Sequence, residues 1–214
     1  MTTLNALEIC AGAGGQAYGL EKAGFEHSLA VEIDKDAAAT LRLNRPKWDV
    51  HEGDVREIDG RDYKGIDLLA GGVPCPPFSV AGKQLGADDE RDLFPEALRL
   101  VRQAKPAAVM LENVKGLGSA RFSDYRDQIL SELDRLGYTA NWQLLFSSEH
   151  GVPQLRPRFI LVAIRGRRGA HFQWPGALDT PPTVGQTLGG LMARDGWTGA
   201  HRWAAHANGI APTI

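Results

Sequence analysis

Short apolar runs alternate with amphipathic segments over the first two thirds of the chain. Gly, Pro and Asn punctuate the boundaries between them, as expected for separate strands and helices. This alternation predicts an α/β fold with a doubly wound, mostly parallel sheet. The predicted strands are residues 4–9, 28–33, a short one near Val50, 66–69 and 107–111, and the predicted helices are 16–23, 35–44, 91–104 and 122–136.

The pattern changes toward the end of the chain. Strand-like runs at 138–146 and 159–165 have no helix between them, which predicts an antiparallel strand at one edge of the sheet. After Gly166, helical periodicity fades, and Gly, Pro and Trp become frequent. The sequence therefore predicts a catalytic domain over residues 1–165 and an irregular segment over 166–214.

Composition bounds the classes of function. The 214 residues, with 43% hydrophobic content and a net charge of −2, suit one globular α/β domain and neither favour nor exclude nucleic acid. Five arginines and no acid lie between His150 and Leu178, which indicates either a phosphate-facing patch or a solvated basic edge. The two cysteines form no zinc or disulfide pattern, so no metal is expected. Without a signal peptide or membrane-spanning run, the expected location is the cytoplasm.

A Gly-rich turn follows the first predicted strand. Gly12-x-Gly14-x-x-Ala17, with Glu32 at the end of the second strand, fits a nucleotide-cofactor fingerprint in which the acid binds ribose hydroxyls. NAD and S-adenosylmethionine both remain open on this pattern. Glu8, just before the turn, suits a cationic amino-acid end better than a pyrophosphate and favours S-adenosylmethionine. Asp54 follows the third strand, where it either accepts from an adenine amino group or simply forms a turn.

Cys75 is held between prolines after the fourth predicted strand. Proline fixes φ and lacks an N–H group, so the cysteine is kept out of a helix and in a stiff loop. Glu112 ends the neighbouring fifth strand, and both should project into the same crevice at the carboxyl ends of the strands. A mounted cysteine beside a glutamate predicts a thiolate nucleophile with a partner acid.

Gln154-x-Arg156-x-Arg158 alternates with the period of a strand. That spacing predicts that all three side chains lie on one face. Guanidinium groups on one face bind a phosphate or a carboxylate and can lower the pKa of a nearby cysteine.

Taken together, these elements resemble those of the DNA cytosine-5 methyltransferases, in the family's order and over roughly residues 4–165. Each motif is weak or moderate alone, and the combination is specific. The matching elements are Ala11-Gly12-x-Gly14-Gly15, Glu32-x-Asp34, Gly53-Asp54, Pro74-Cys75-x-Pro77-Phe78-Ser79, Glu112-Asn113-Val114 and Gln154-x-Arg156-x-Arg158.

The resemblance implies a Rossmann-like class I methyltransferase fold that uses S-adenosylmethionine, releases S-adenosylhomocysteine and needs no metal. It implies that Cys75 adds to C6 of a flipped cytosine, that Glu112 holds the N3/N4 edge, and that Arg156 and Arg158 position the base and its phosphate. Asn113 and Gln154 are implied to support loops. The implied cofactor-binding residues are Glu8, Cys10, Ala11, Gly12, Gly14, Gly15, Glu32, Ile33, Asp54, Val55 and Pro74.

Departures from the family pattern modify these expectations. Cys10 and Ile33 stand where the family often has aromatic rings against the adenine, so an aliphatic, weaker pocket is expected. Pro76 replaces a frequent glutamine, which alters loop contacts and spares the nucleophile. The family's recognition region should follow residue 165 and extend well past residue 214, so the chain is expected to be a catalytic part that begins a truncated recognition region.

Double-stranded DNA is the implied substrate, in a restriction-modification system of a bacterial-type cytoplasm, near the nucleoid when bound. A second polypeptide supplying the missing recognition region and closing helix is a further expected partner. Two alternatives remain: a methyltransferase-like regulatory module without activity of its own, and an RNA cytosine-5 methyltransferase. The RNA-acting group usually carries Cys-Phe-Thr further along, which this chain lacks. An NAD dehydrogenase would leave Cys75 and Glu112 unexplained.

Overall fold

The strands and helices alternate along the chain much as the hydrophobic pattern predicts. The computed structural model describes residues 3–74 and 92–213, so Cys75 and the other residues of 75–91 lie outside the described residues. The strands are β1 (Leu4–Ile9), β2 (Phe25–Glu32), β3 (Val50–Glu52), β4 (Leu68–Gly71), β5 (Ala108–Val114), β6 (Tyr138–Phe146) and β7 (Pro157–Arg165). The α-helices are α1 (Gly15–Lys22), α2 (Lys35–Asn44), α3 (Phe94–Ala104), α4 (Ser123–Arg135), α5 (Val184–Ala193) and α6 (Ala200–His206).

Within the described residues, these strands form one seven-stranded sheet in the order β3-β2-β1-β4-β5-β7-β6. The pairs β1–β2, β2–β3, β1–β4 and β4–β5 are all parallel. The order changes direction between β1 and β4, and in open α/β sheets ligands bind outside the carboxyl ends of the strands at such a point. The predicted doubly wound, mostly parallel sheet is confirmed.

The strand β7 enters the sheet between β5 and β6. The amide of Arg165, at the end of β7, donates to the carbonyl of Ala107 just before β5 (3.0 Å). The next amide, of Gly166, donates to the carbonyl of Gly137 just before β6 (2.9 Å). Because β7 ends where both neighbours begin, it runs antiparallel to them. The predicted antiparallel pairing at this edge is confirmed, with the reversed strand lying second from the edge.

The core is built around the inner strand β1 and the helix α3. Leu7 and Ile9 are fully buried on one face of β1. Gly71 of β4 lies so close to β1 that an added Cβ would meet the carbonyl oxygen of Ile9 at 2.7 Å. The helix α3 begins with Phe94-Pro95 and ends at Ala104, and the next residue, Lys105, adopts φ 49°, a left-handed conformation that stops the helix. Its buried face consists of Phe94, Ala97, Leu100, Val101 and Ala104.

The chain divides into two compact units. Unit 1 comprises the chain up to Gln143 together with Ile160–Phe172, and unit 2 comprises Leu144–Phe159 together with the chain from Gln173 onward. Each unit is therefore made of two separate stretches of sequence, and the chain passes back and forth between them.

Unit 2 contains α5 and α6 in a stretch that the sequence pattern predicts to be irregular, and that prediction is wrong for these helices. A capping box begins α5: the Thr183 hydroxyl accepts from the Gln186 amide (3.2 Å), and the Gln186 side chain accepts from the Thr183 amide (2.8 Å). Gly185 packs so closely on α6 that an added Cβ would overlap the Ala204 carbonyl, 2.0 Å away. The glycines that permit this packing also lower intrinsic helix propensity, which hides α5 in the sequence.

Candidate active site

A cavity of about 520 Å³ opens in unit 1 at the carboxyl ends of β1 to β4. In doubly wound sheets, ligands bind at this position. Its walls are largely apolar and carry two carboxylates, those of Glu32 and Asp54. The lining residues are Cys10, Val31, Glu32, Ile33, Gly53, Asp54, Val55, Arg56, Gly72, Pro74 and Leu93.

The Gly-rich turn is fastened to the end of β2 by a carboxylate. The amide of Gly12 donates to one oxygen of Glu32 (2.6 Å), and the amide of Asp34 donates to the other (2.8 Å). Gly12 and Gly14 adopt φ 56° and 93°, values that glycine tolerates without strain. Glu32 is 8% exposed. Since an ionised carboxylate has about four acceptor positions, it retains the capacity to bind hydroxyl groups of a ligand.

Glu8 lies behind this turn and not in the cavity wall. One of its carboxylate oxygens is 2.8 Å from Nε2 of His27, and both side chains are fully buried. The other carboxylate oxygen is buried and has no hydrogen-bond partner among the described residues, while His27 stacks on Trp48 with ring centroids 4.1 Å apart. Glu8 therefore links β1 to β2. Glu8 is not among the residues that line the cavity, and its direct contact with a cofactor stays a prediction.

Burial raises the pKa of both acidic side chains at the end of β1, Glu8 and Cys10. Burial raises the pKa of Glu8, and the hydrogen bond and charge of His27 and the amide of Ala17 only partly oppose it. Burial also raises the pKa of Cys10 to about 12, and the carboxylates of Glu32 and Asp54 add to that shift. Cys10 thus lines the cavity as a neutral thiol, on a backbone held at φ 52°.

Asp54 begins a short 3-10 turn, Val55–Glu57, at the far side of the cavity. Its two oxygens accept from the backbone amide and the guanidinium of Arg56, each at 2.9 Å. The amide and then the guanidinium of Arg56 hold the pKa of Asp54 below its usual range. Ile33, 68% exposed, lies at the rim.

Arg56 and Leu93 are cavity residues that sequence reasoning missed. Arg56 stands two residues after an Asp that ends a strand, the spacing of a side-chain-capped turn, so its contact with Asp54 has a local signal. Leu93 has none, because its place in the wall depends on how α3 packs against the sheet.

Glu112 and Asn113 come from the end of β5, next to β4. An added Cβ on Gly72 would lie 3.5 Å from Oε2 of Glu112, so this carboxylate lies beside the cavity-lining segment that follows β4. Asn113 is 1% exposed, and its amide group donates to the carbonyl of Val73 (3.3 Å). The neighbouring strands β4 and β5 thus bring Glu112 and Asn113 next to residues 72–73, which precede Pro74. Cys75 lies outside the described residues.

The arginine motif lies in unit 2, and its predicted geometry is wrong. Gln154 forms an isolated parallel bridge with Ala211, and Arg156 adopts φ 28°, far from the extended region. The carbonyl of Arg156 faces Ser147, whose amide donates to it (3.4 Å), and β7 begins only at Pro157. The motif is therefore not one extended strand, and Gln154, Arg156 and Arg158 do not alternate at strand period. Of the five arginines, Arg156 and Arg158 belong to unit 2, and Arg165, Arg167 and Arg168 belong to unit 1.

Residues 3–74 and 92–213 contain neither a metal-binding cluster nor a membrane-spanning helix. No group of His, Cys, Asp and Glu side chains there is arranged to hold a metal ion. No helix in this part of the chain is long and apolar enough to cross a bilayer.

The sheet order and the cavity define the Rossmann-like fold of class I methyltransferases. The sequence model of the C-5 cytosine-specific DNA methylases matches residues 4–208. The chain belongs to this family, and the predicted resemblance is confirmed.

Curated relatives are similar over nearly all of the chain. It is 58% identical to the Type II methyltransferase M.NaeI of Lentzea aerocolonigenes, over 100% of the chain and 52% of that protein. It is 56% identical to the Type II methyltransferase M.NgoMIV of Neisseria gonorrhoeae, over 97% of the chain and 67% of that protein. The chain therefore spans about half to two thirds of the length of these relatives.

Solved structures show the same fold. A candidate DNA modification methyltransferase encoded within an Escherichia coli prophage superposes with a TM-score of 0.72 at 26% identity, over 86% of this chain and 54% of that one. The Spodoptera frugiperda DNMT2 mutant superposes with a TM-score of 0.70 at 24% identity, over 84% and 58%. The second likeness concerns the fold alone.

Proposed function

We propose that the chain is the catalytic part of a DNA (cytosine-5) methyltransferase that transfers a methyl group from S-adenosylmethionine to C5 of a cytosine in DNA. The carrying observation is the unit 1 cavity, whose wall bears Glu32 and Asp54 and whose lining segment ends at Pro74, next to Cys75 in the sequence. The Type II relatives support a role in a bacterial restriction-modification system. Such a protein would act in the cytoplasm, at the nucleoid when bound to DNA.

The cavity fits S-adenosylmethionine better than a dinucleotide. Glu32 would bind the ribose hydroxyls, Asp54 would accept from the adenine amino group, and Ile33 with Val55 would flank the adenine. The pyrophosphate of a dinucleotide would instead bring negative charge toward two carboxylates, which is unfavourable in a partly enclosed space. When bound, S-adenosylmethionine supplies an electrophilic methyl group.

Cys75 and Glu112 carry the chemistry in this proposal. The Cys75 thiolate adds to C6 of the cytosine, and the electron pair of the C5–C6 double bond moves toward C5. Glu112 holds the N3/N4 edge and offsets the charge that develops on the ring. Once C5 is methylated, loss of its proton re-forms the double bond and expels the Cys75 thiolate. Asn113, by holding Val73, would keep the segment leading to the nucleophile in place.

DNA recognition needs more than this chemistry. The target base must leave the duplex, and Arg156 with Arg158 would bind the base and its phosphate while Gln154 supports their loop. The relatives are longer than this chain, which supports a further proposal: the recognition region and the helix that closes the cofactor pocket come from residues outside these 214.

Titration calorimetry with S-adenosylhomocysteine and with NAD tests the cofactor assignment. The 214-residue chain should bind S-adenosylhomocysteine more tightly than NAD. Glu32→Gln should weaken that binding about tenfold or more, since a hydrogen bond to a charged group contributes about 1.5–3 kcal/mol. Glu21→Gln, in α1 and outside the cavity, is the control and should bind as the wild type does. Tighter binding of NAD would sink the proposal.

A further inference from the structure

A second cleft, of about 340 Å³, lies wholly within unit 2 at the helix α6. Its lining combines two aromatic rings with two basic side chains. None of these residues has a part in the proposed reaction. They are Trp197, Gly199, Arg202, Trp203 and His206.

The aromatic wall is held in place by the turn that leads into α6. An added Cβ on Gly199 would lie 2.9–3.0 Å from atoms of the Trp197 indole, so glycine is required where the ring folds over the chain. The amide of Trp203 donates to the Gly199 carbonyl (2.9 Å), which places Trp203 one turn further on. The two indole centroids are 6.3 Å apart, with the ring planes inclined by 52°. Trp197, 46% exposed, is therefore a fixed aromatic face open to solvent.

The basic edge lies beside this face. Arg202 and His206 are exposed and stand one helical turn apart. Nδ1 of His206 is 2.7 Å from the carbonyl oxygen of Arg202, to which it donates, so Nε2 is left for a ligand. Among the residues that the structure describes, the Arg202 guanidinium has no hydrogen-bond or ion-pair partner. The helix α6, AHRWAAH, contains no acid that could compete for it.

We propose that this cleft binds one unpaired nucleotide of a DNA strand, with the base stacked on Trp197 and its phosphate at Arg202 and His206. The inference rests on the proposed function and adds a contact outside the catalytic cavity. Base stacking on aromatic side chains tolerates any sequence, and arginine binds phosphate through two parallel hydrogen bonds. The volume falls in the range of small-ligand sites, about 300–1,000 Å³. An apolar protein partner would fit less well, because it would bury the Arg202 charge without compensation.

The test is the affinity of the full chain for a short, mixed-sequence, fluorescein-labelled single-stranded oligonucleotide, measured by anisotropy over a range of salt concentrations. Trp197→Ala should weaken binding about 5- to 150-fold, the fold-change that corresponds to about 1–3 kcal/mol for one stacked base. Arg202→Ala should also weaken binding and should reduce the slope of log affinity against log salt by about 0.7. Trp197→Phe, which keeps a ring, should fall between the wild type and Trp197→Ala.

Two variants in the same unit serve as matched controls. Arg194→Ala removes an exposed arginine after α5, and Leu191→Ala removes an apolar side chain that is 63% exposed. Both should bind the oligonucleotide as the wild type does. Equal losses for Arg202→Ala and Arg194→Ala, with no loss for Trp197→Ala, would mean general electrostatic binding and would overturn the proposal.

Other outcomes separate this proposal from the preceding one. Failure of the wild type to bind the oligonucleotide, with S-adenosylhomocysteine still bound, overturns only the cleft assignment. Absence of S-adenosylhomocysteine binding would count against the proposed function whatever the oligonucleotide does. If the C-terminal part of M.NgoMIV binds the wild type but not Trp197→Ala, and the oligonucleotide binds both equally, the cleft belongs to a polypeptide and the nucleotide proposal is wrong.

Discussion

Two side chains at the end of β1 show how strongly position decides chemistry at the scale of single residues. Glu8 and Cys10 are separated by one residue, yet Glu8 contacts the buried His27 while Cys10 lines the cavity. Burial shifts the pKa of each upward, which disfavours the charged form of both. The sequence places both next to the Gly-rich turn, but it does not reveal that only one of them touches the cavity.

The two cysteines should differ in reactivity. With the pKa of Cys10 near 12, only about one Cys10 in 10⁴ is a thiolate at pH 8, so alkylation by iodoacetamide should be slow. We expect mass spectrometry of the native protein to find Cys75 labelled first. In guanidinium chloride, both cysteines should react at similar rates, which is the control. Equal labelling in the native protein would contradict the assignment of Cys75 as the nucleophile.

The buried Glu8 should make stability depend on pH. Because the folded-state pKa is raised above the unfolded value near 4.5, folding binds a proton. The stability contributed by the protonated acid is therefore complete below about pH 4.5 and is lost as pH rises through the folded-state pKa. We expect the Tm of Glu8→Gln minus the Tm of the wild type, measured by circular dichroism, to increase as the pH rises through that pKa. The exposed Glu26→Gln should show a constant difference, and a constant difference for Glu8→Gln would refute the argument.

At the scale of elements, hydrophobic periodicity and helix-capping or helix-breaking residues predict most strands and helices of unit 1. The helix α2 matches its predicted bounds because Asp34 caps its start, with its side chain accepting from the Ala37 amide, and Pro46 follows its end. Periodicity fails where long-range packing decides the backbone. Arg156 leaves the extended region although its neighbours alternate, because Gln154 pairs with Ala211, which is distant in sequence. No local pattern contains that information.

The difference between a closely packed position and an open one predicts opposite effects on stability for two Gly→Ala substitutions. Gly71→Ala would place a Cβ 2.7 Å from the Ile9 carbonyl oxygen, and neither strand can move away without breaking the β1–β4 ladder. We expect this change to cost about 1–3 kcal/mol or more in the free energy of unfolding, measured with urea. Gly19→Ala, in α1 and with nothing within 4 Å of the added Cβ, should instead stabilise the protein by about 0.5–1 kcal/mol. A neutral Gly71→Ala would show that the two strands can separate.

At the scale of the whole molecule, the sequence predicts which edge of the sheet carries the site, but it does not predict how the chain divides into two units. The order of strands brings Glu32, Asp54 and Glu112 to the carboxyl edge of the sheet from three different strand ends. The motif order alone predicts that edge, because parallel strands share their direction. The division into two units does not follow from the motifs, since the chain crosses between units within β6 and within β7.

Methylation of duplex DNA should depend on residues outside the 214 described by this sequence. Extruding a base costs a few kcal/mol, which must be offset by contacts around the vacated position. We expect the 214-residue chain alone to transfer little tritiated methyl group to duplex DNA. Adding the C-terminal part of M.NgoMIV as a separate polypeptide should raise the transfer, and Cys75→Ser should abolish the gain.

An unrelated polypeptide at the same concentration is the control for that addition and should have no effect. Robust sequence-specific methylation by the isolated 214-residue chain would contradict the proposed need for residues outside it.

The discontinuous make-up of unit 2 bears on how such proteins could be recombined. The Leu155 amide donates to the Ala211 carbonyl (2.9 Å), and the Leu178 amide donates to the Glu149 carbonyl (2.8 Å), so its two stretches hold each other's backbone. A chimera with a single crossover point after residue 172 would join one parent's Leu144–Phe159 to the other parent's C-terminal stretch. Exchange of this unit between relatives therefore calls for two grafts per chimera, with the connecting strand β7 divided at Ile160.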